Sequence, residues 1–311
     1  MLLAYGVYSL TGMYGHVPRD KATRLIKDAA CMGVQGYDTA DVYGRGLGEE
    51  LIREAYPHGH PLVMTKVGYD IYTLGRPTGR YDYDYLVKAA RRSVERLGFK
   101  PVYLIQVHNP PLSALQGRDI YRAMRAWKEE GLTLHTGIAL GPEVDVLPHA
   151  REAMTHEEVE YLQFVYNMLE QEPGYTIAEE ARKQKVRLIA RVPHAGGVLD
   201  ESYKPGDEPR DHRVLRRKGW YEWAWKLYTR IKPLLDEIPG TPGQKALAYI
   251  RDTINPDYTV IIATSSERIA DYTGFTRVPR LPQEVIEEAR RLYTEMLPEN
   301  PEKPKHTKTI H

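Results

Sequence analysis

Eight short, apolar, β-favouring runs recur along this chain with helical stretches between them, and that alternation constrains the fold more than any other feature. The runs cover residues 2–8, 34–39, 62–67, 102–107, 133–139, 159–165, 186–192 and 258–262. After the first, Ala22, Leu25, Ile26 and Ala29 repeat on one helical face and Gly33 supplies a left-handed stop, so a helix starts near Pro18. Further helices are expected over 48–56, 84–97, 143–154, 177–184 and 241–254, and Ile120, Ala123, Met124 and Trp127 mark the inner face of another. Alternating strands and helices require parallel strands joined by right-handed crossovers, and eight of them close naturally into an α/β (β/α)8 TIM barrel. A doubly wound open sheet is the alternative. Two accessory helices, 221–235 and 282–296, fall outside the eightfold count. Residues 1–297 are expected to form one barrel domain, followed by a Lys/Pro-rich tail, 298–311, without fixed structure.

A chain of 311 residues suits such a barrel as a single domain. Its 43 Lys plus Arg against 42 Asp plus Glu leave a net charge of +1, too little field to gather nucleic acid or an anionic membrane. Cys31 is the single cysteine, so no internal disulfide or cysteine zinc cluster can form, in keeping with a reducing cytoplasm. The N-terminus lacks the pattern of a signal peptide, and no stretch approaches the roughly 18 apolar residues of a membrane span. The expected partner is a small molecule, with monomer or homo-oligomer left open.

In a barrel of this kind the active site lies at the C-terminal ends of the strands. Asp38 ends the second run, Lys66 lies at the end of the third and His108 follows the fourth; Tyr43 stands in the loop rising from Asp38. Each has a plain alternative: a helix cap, a solvated strand end, a core imidazole, one of 23 tyrosines. Together they make a proton relay. A phenol with a pKa of about 10 is a poor acid unless its anion is stabilised, and an ammonium ion 4 Å away contributes about 4 kcal/mol at an effective permittivity of 20. The expectation is therefore that Lys66 lowers the Tyr43 pKa, that Asp38 holds Lys66, and that His108 orients a carbonyl oxygen.

The stretch Gly36-Tyr37-Asp38-Thr39-Ala40-Asp41-Val42-Tyr43-Gly44 resembles the strand-two motif of the aldo-keto reductase family. Thr65-Lys66-Val67-Gly68, Val107-His108, Gln163-Phe164-Val165-Tyr166-Asn167 and Pro193-His194-Ala195-Gly196-Gly197-Val198-Leu199 follow in the family's order, so that the resemblance spans about residues 1–272. It implies a barrel that holds an extended nicotinamide dinucleotide, NADP(H) rather than NAD(H), and transfers hydride between it and an aldehyde, ketone, alcohol or sugar. Catalysis would rest on Asp38, Tyr43, Lys66 and His108, with Tyr43 as general acid. Cofactor binding would draw on Gly6, Val7, Asp38, Gln163, Arg191, Pro193, Ala195, Gly197, Leu199, Thr264, Ser265, Arg268 and Asp271, and substrate on Tyr8, Tyr69 and Tyr72.

Within that resemblance, Gln163 matches the residue that bonds the nicotinamide carboxamide, and Arg268 the arginine that meets the adenine and the 2′-phosphate. Ser265 and Ser266 would add hydroxyls to that phosphate, or cap a helix. Three departures stand out. The usual Ser-Asn pair after strand five is absent, the sequence there reading Ile138-Ala139-Leu140-Gly141, the aromatic expected against the nicotinamide is Arg191, and an asparagine is Tyr272. Arg191 could stack through its planar guanidinium or form an ion pair. The charged loop 199–219 stands where relatives fold a flap over the pyrophosphate, a solvated loop being the alternative. The other reading is a cofactor-binding regulatory barrel of the same family with weak turnover. No metal site is expected, because His58-Gly59-His60 precedes strand three, at the opposite rim.

Overall fold

The computed structural model describes residues 1–141, 145–207, 214 and 216–302. Eight parallel strands close into a barrel: β1 (Leu2–Gly6), β2 (Gly36–Asp38), β3 (Val63–Val67), β4 (Val102–His108), β5 (Thr133–Ala139), β6 (Tyr161–Val165), β7 (Arg187–Arg191) and β8 (Tyr258–Ile261). β1 pairs with both β2 and β8, which removes every exposed edge. The open doubly wound sheet is thereby excluded.

The longer helices are α1 (Arg19–Cys31), α2 (Leu47–Ala55), α3 (Tyr83–Leu97), α4 (Asp119–Glu129), α5 (Leu147–Ala153), α6 (Gly174–Lys183), α7 (Trp220–Asp236), α8 (Pro242–Thr253), α9 (Ser266–Thr273) and α10 (Gln283–Met296), and all but α9 lie where the sequence pattern places a helix. Local chemistry fixes their ends. Asp82 caps α3 by accepting from the Tyr85 N–H at 3.0 Å, Gly98 ends it at φ 78°, and Thr241 with Gln244 forms a capping box on α8. The expected start of α5, near residue 143, lies outside the described residues.

Most buried apolar side chains lie between the barrel wall and the helices. A smaller set, including Ala4, Met64, Leu104, Tyr161, Ile189 and Val260, forms a separate cluster. Gly6 shows why the top of β1 carries no side chain: a Cβ there would stand 2.9 Å from both Val260 Cγ1 and Ile262 Cγ2. The accessory helices α7 and α10 pack together, and Trp223 on α7 donates its indole N–H to the Met296 carbonyl at 2.8 Å. Order extends into the expected tail. Asn300 is buried and Glu302 pairs with Arg216 at 2.6 Å, while residues 303–311 lie outside the described residues.

One element escapes periodicity. A small antiparallel hairpin, Tyr69–Asp70 with Thr78–Gly79, follows β3. It is clamped by Arg45, whose guanidinium donates to the carbonyls of Ile71, Thr73 and Gly75.

Candidate active site

Strand ends β2, β3 and β4 bring Asp38, Lys66 and His108 to one rim, and the turn after β2 returns Tyr43 over them. Lys66 is 1 % exposed, yet its Nζ meets three acceptors: Asp38 Oδ1 at 2.7 Å, the Thr39 carbonyl at 2.8 Å and the Tyr43 hydroxyl at 3.3 Å. Three acceptors match the three donors of an ammonium ion. Asp38 is buried too, and its other oxygen accepts from Gln163 Nε2 at 2.7 Å. The carboxylate is thus fixed from both sides, which is how a buried ion pair offsets its desolvation cost.

The Tyr43 ring stands edge-on to His108, with centroids 5.8 Å apart, and to Tyr8 at 4.8 Å. Tyr69 packs edge-on to His108 at 5.2 Å, and its hydroxyl accepts from Asn109 Nδ2 at 3.2 Å. Tyr72 does not join this group. Its ring lies 4.1 Å from the Arg92 guanidinium and its hydroxyl accepts from Arg96, so two cations of α3 hold it on the helix side.

Proton affinities depart from the sequence expectation at Tyr43. Burial pushes the phenol well above its ordinary value and the Asp38 carboxylate pushes the same way, with Arg191 opposing. Asp38 cancels much of the Lys66 charge, so desolvation outweighs the ammonium ion. The phenol consequently stays protonated through the neutral range. Burial also draws Lys66 below its ordinary value, with Asp38 opposing. At His108, burial aided by Lys66 and Arg191 keeps the imidazole well below its usual range, hence neutral at pH 7.

The other expected positions fall around the same rim. Gly6 ends β1, and Val7 is buried in the turn beyond it. Pro193, Ala195, Gly197 and Leu199 lie buried in the segment after β7. Its backbone takes left-handed angles at Val192 (φ 62°), Ala195 (φ 50°), Gly196 (φ 65°) and Gly197 (φ 102°). For a β-branched valine that conformation costs about 1–3 kcal/mol, a strain typical of functional turns. Thr264 is exposed just before α9, and Ser265 caps the helix by accepting from the Arg268 N–H at 3.3 Å. Asp271 accepts from Gln244. The Ser266 hydroxyl is already committed, donating to Asp28 on α1 at 2.6 Å.

Asp200 was invisible to sequence reasoning. It accepts from the Tyr272 hydroxyl and lies 3.7 Å from Arg268 Nη1, joining the loop after β7 to α9 across 72 residues. Part of the expected flap is therefore anchored, although residues 208–213 and 215 lie outside the described residues. Asp41 was also missed as a site element. It is fully buried beside the relay, and burial, with Glu49 adding and the Arg96 charge and Val42 backbone N–H opposing, raises its pKa well above the carboxylate range.

A model of the aldo/keto reductase family matches residues 2–294 of this sequence. The chain belongs to the aldo/keto reductase family. A reductase of that family from Strobilurus tenacellus is 27% identical over 301 residues, covering 92% of this chain and 85% of the relative. One from Schizosaccharomyces pombe, whose name specifies NADP(+), is 24% identical over 266 residues, 80% of this chain and 75% of the relative. A probable voltage-gated potassium channel subunit beta of Arabidopsis thaliana is 23% identical, covering 77% of this chain and 76% of its own length. Among solved structures, the holo form of a Bacillus halodurans aldo-keto reductase superposes with a TM-score of 0.78 at 20% identity, covering 93% of this chain and 91% of its own. A glycerol dehydrogenase from Gluconobacter oxydans gives 0.77 at 18% identity, with 99% and 95% covered. These neighbours share the fold, and family membership makes this protein an oxidoreductase. No helix among the described residues is long and apolar enough to cross a membrane.

The rim has the chemistry to receive a dinucleotide. His108 Nδ1, Asn109 Oδ1 and Arg191 Nε are buried polar atoms without hydrogen-bond partners, at the ends of β4 and β7. Such atoms are costly in a finished core and ordinary in a binding site. Farther out, the α9 N-terminus with Arg268 suits phosphate.

Proposed function

We propose that this reductase is NADP(H)-dependent and interconverts aldehydes or ketones with alcohols, sugars among them, with Tyr43 as general acid. The carrying observation is Lys66 Nζ, buried and bonded at once to Asp38 and the Tyr43 hydroxyl. When bound, the dinucleotide supplies hydride to the carbonyl carbon. Tyr43 gives its proton to the carbonyl oxygen, and the Lys66 ammonium, its charge partly offset by Asp38, then faces the phenolate. A raised phenol pKa does not oppose this step, because the alkoxide formed by hydride addition is a stronger base than a phenolate. Neutral His108 orients the carbonyl oxygen, while Tyr8 and Tyr69 border the substrate.

Gln163 would hold the nicotinamide carboxamide while its amide nitrogen stays on Asp38. Gly6, Val7 and the turn carrying Pro193, Ala195, Gly197 and Leu199 would line the cofactor's length. Thr264, Ser265, Arg268 and Asp271 would take the adenosine end, Arg268 favouring a 2′-phosphate. The lone cysteine favours a cytoplasmic setting.

NADPH consumption by the purified protein over a broad aldehyde and ketone panel tests the reading. Turnover is expected, and Arg268→Ala should weaken NADPH binding about ten- to a hundred-fold, as loss of a charge-assisted hydrogen bond does, while leaving NADH nearly unchanged. Equal losses for both cofactors would remove the NADP preference. A second reading, a regulatory barrel with slow turnover, draws on Arg191 and on the missing Ser-Asn pair after strand five. Tight NADPH binding without turnover, together with a stable protein partner, would favour it.

A further inference from the structure

Arg191 ends β7, across the barrel mouth from the relay. Its Nη2 donates to the Leu140 carbonyl at 2.8 Å, its Nε is buried without a hydrogen-bond partner, and among the described residues no carboxylate forms an ion pair with it. Of the two sequence alternatives, the ion pair is not formed among the described residues, which leaves a half-buried guanidinium free to stack. A buried charge without a partner among the described residues reduces stability, which points to a role other than packing.

The charge reaches the reacting groups. Arg191 shifts the proton affinities of Tyr43, Lys66 and His108, always toward the less positive form. Lys66 is balanced by Asp38 at 2.7 Å, and His108 and Tyr43 are neutral, so among the described residues no carboxylate is left to balance Arg191 at the mouth. A nicotinamide that delivers hydride to a carbonyl held by Tyr43 and His108 must lie against this same space. Its reduced ring is neutral; loss of a hydride leaves the oxidised ring with a positive charge.

We infer that Arg191 is a redox-state selector: it makes the site bind the reduced, uncharged dihydronicotinamide in preference to the oxidised, cationic ring. This rests on the proposed NADP(H) reading. The two cofactor forms carry the same phosphates and adenosine, so the preference isolates charge at the ring. A unit charge within several ångströms at protein-surface permittivity alters such an equilibrium on the order of tenfold or more. The reduced form should both saturate the protein first and release its hydride reluctantly.

The test is equilibrium binding, not turnover. NADPH affinity is followed by its own fluorescence and NADP+ affinity by displacement, at fixed salt, for the full chain and for Arg191→Met and Arg191→Lys. Wild type should bind NADPH at least about tenfold tighter than NADP+; Arg191→Met should collapse that ratio toward one, and Arg191→Lys should retain most of it. A wild-type ratio near one overturns the inference without any variant, and so does a ratio that survives Arg191→Met. If neither form binds, the NADP(H) reading itself fails, an outcome distinct from equal binding of both.

Discussion

Replacing Lys66 with Met removes the charge at the centre of the relay while keeping a side chain of similar length. Nζ lies 3.3 Å from the Tyr43 hydroxyl, so a phenolate forming there gains at most about 5 kcal/mol from the ammonium ion at an effective permittivity of 20. Asp38, 2.7 Å from Nζ, cancels part of that. A loss of about 10²–10³ in kcat/KM for aldehyde reduction is therefore expected, within the usual range for a disrupted acid–base group. The same change strands the Asp38 carboxylate with only Gln163 as a hydrogen-bond donor, which should lower stability by about 3 kcal/mol. Urea melts and steady-state rates with saturating NADPH separate the two effects. A Lys66→Met protein that is destabilised as predicted yet reduces aldehydes within about tenfold of wild type would refute the role given to the ammonium ion.

Asp41 gives a pH signature. Its folded-state pKa lies above the unfolded value of about 3.9, so its contribution is full below that pH and is lost as pH rises toward the folded pKa. Asp41→Asn should thus raise stability at pH 7 by about 1 kcal/mol or more and give no gain near pH 4; urea midpoints at both pH values check it, and equal effects would contradict the buried-acid assignment. His108 has the reverse profile, because its folded pKa lies below the unfolded value of about 6.5: as pH falls below 6.5 the unfolded state binds the proton first and stability drops. Melts of His108→Gln from pH 7 to pH 5 should lack that component, and an unchanged slope would argue against a buried neutral imidazole. Arg45→Ala should free the hairpin tip, speeding amide exchange at Thr73 and Gly75 and raising KM more than it lowers kcat; an unchanged exchange rate there would show that the clamp is dispensable.

The barrel was legible because its signals are local and repeated. Ala22, Leu25, Ile26 and Ala29 declare a buried face without reference to distant residues, and Asp38, Lys66 and His108 each end or closely follow an apolar run. What stayed hidden depends on three-dimensional proximity. The Asp200–Tyr272 bond spans 72 residues and the Ser266–Asp28 bond 238, and no spacing rule anticipates either. Tyr72 stands only three residues beyond Tyr69 in the same loop, but two arginines of α3 draw it aside. The hairpin strands have two residues each, too few for a period. The direction of the Tyr43 shift was misjudged for a related reason: a motif announces the ammonium neighbour but not the depth of burial that outweighs it.

The proposed role of Tyr43 as proton donor is tested most directly by Tyr43→Phe, which deletes one oxygen from a ring already packed against His108 and Tyr8. With NADPH affinity measured alongside, kcat for aldehyde reduction should fall about 10²–10⁴-fold while the cofactor dissociation constant stays within about threefold. A Tyr43→Phe protein that turns over at the wild-type rate would contradict the assignment of Tyr43 as the acid.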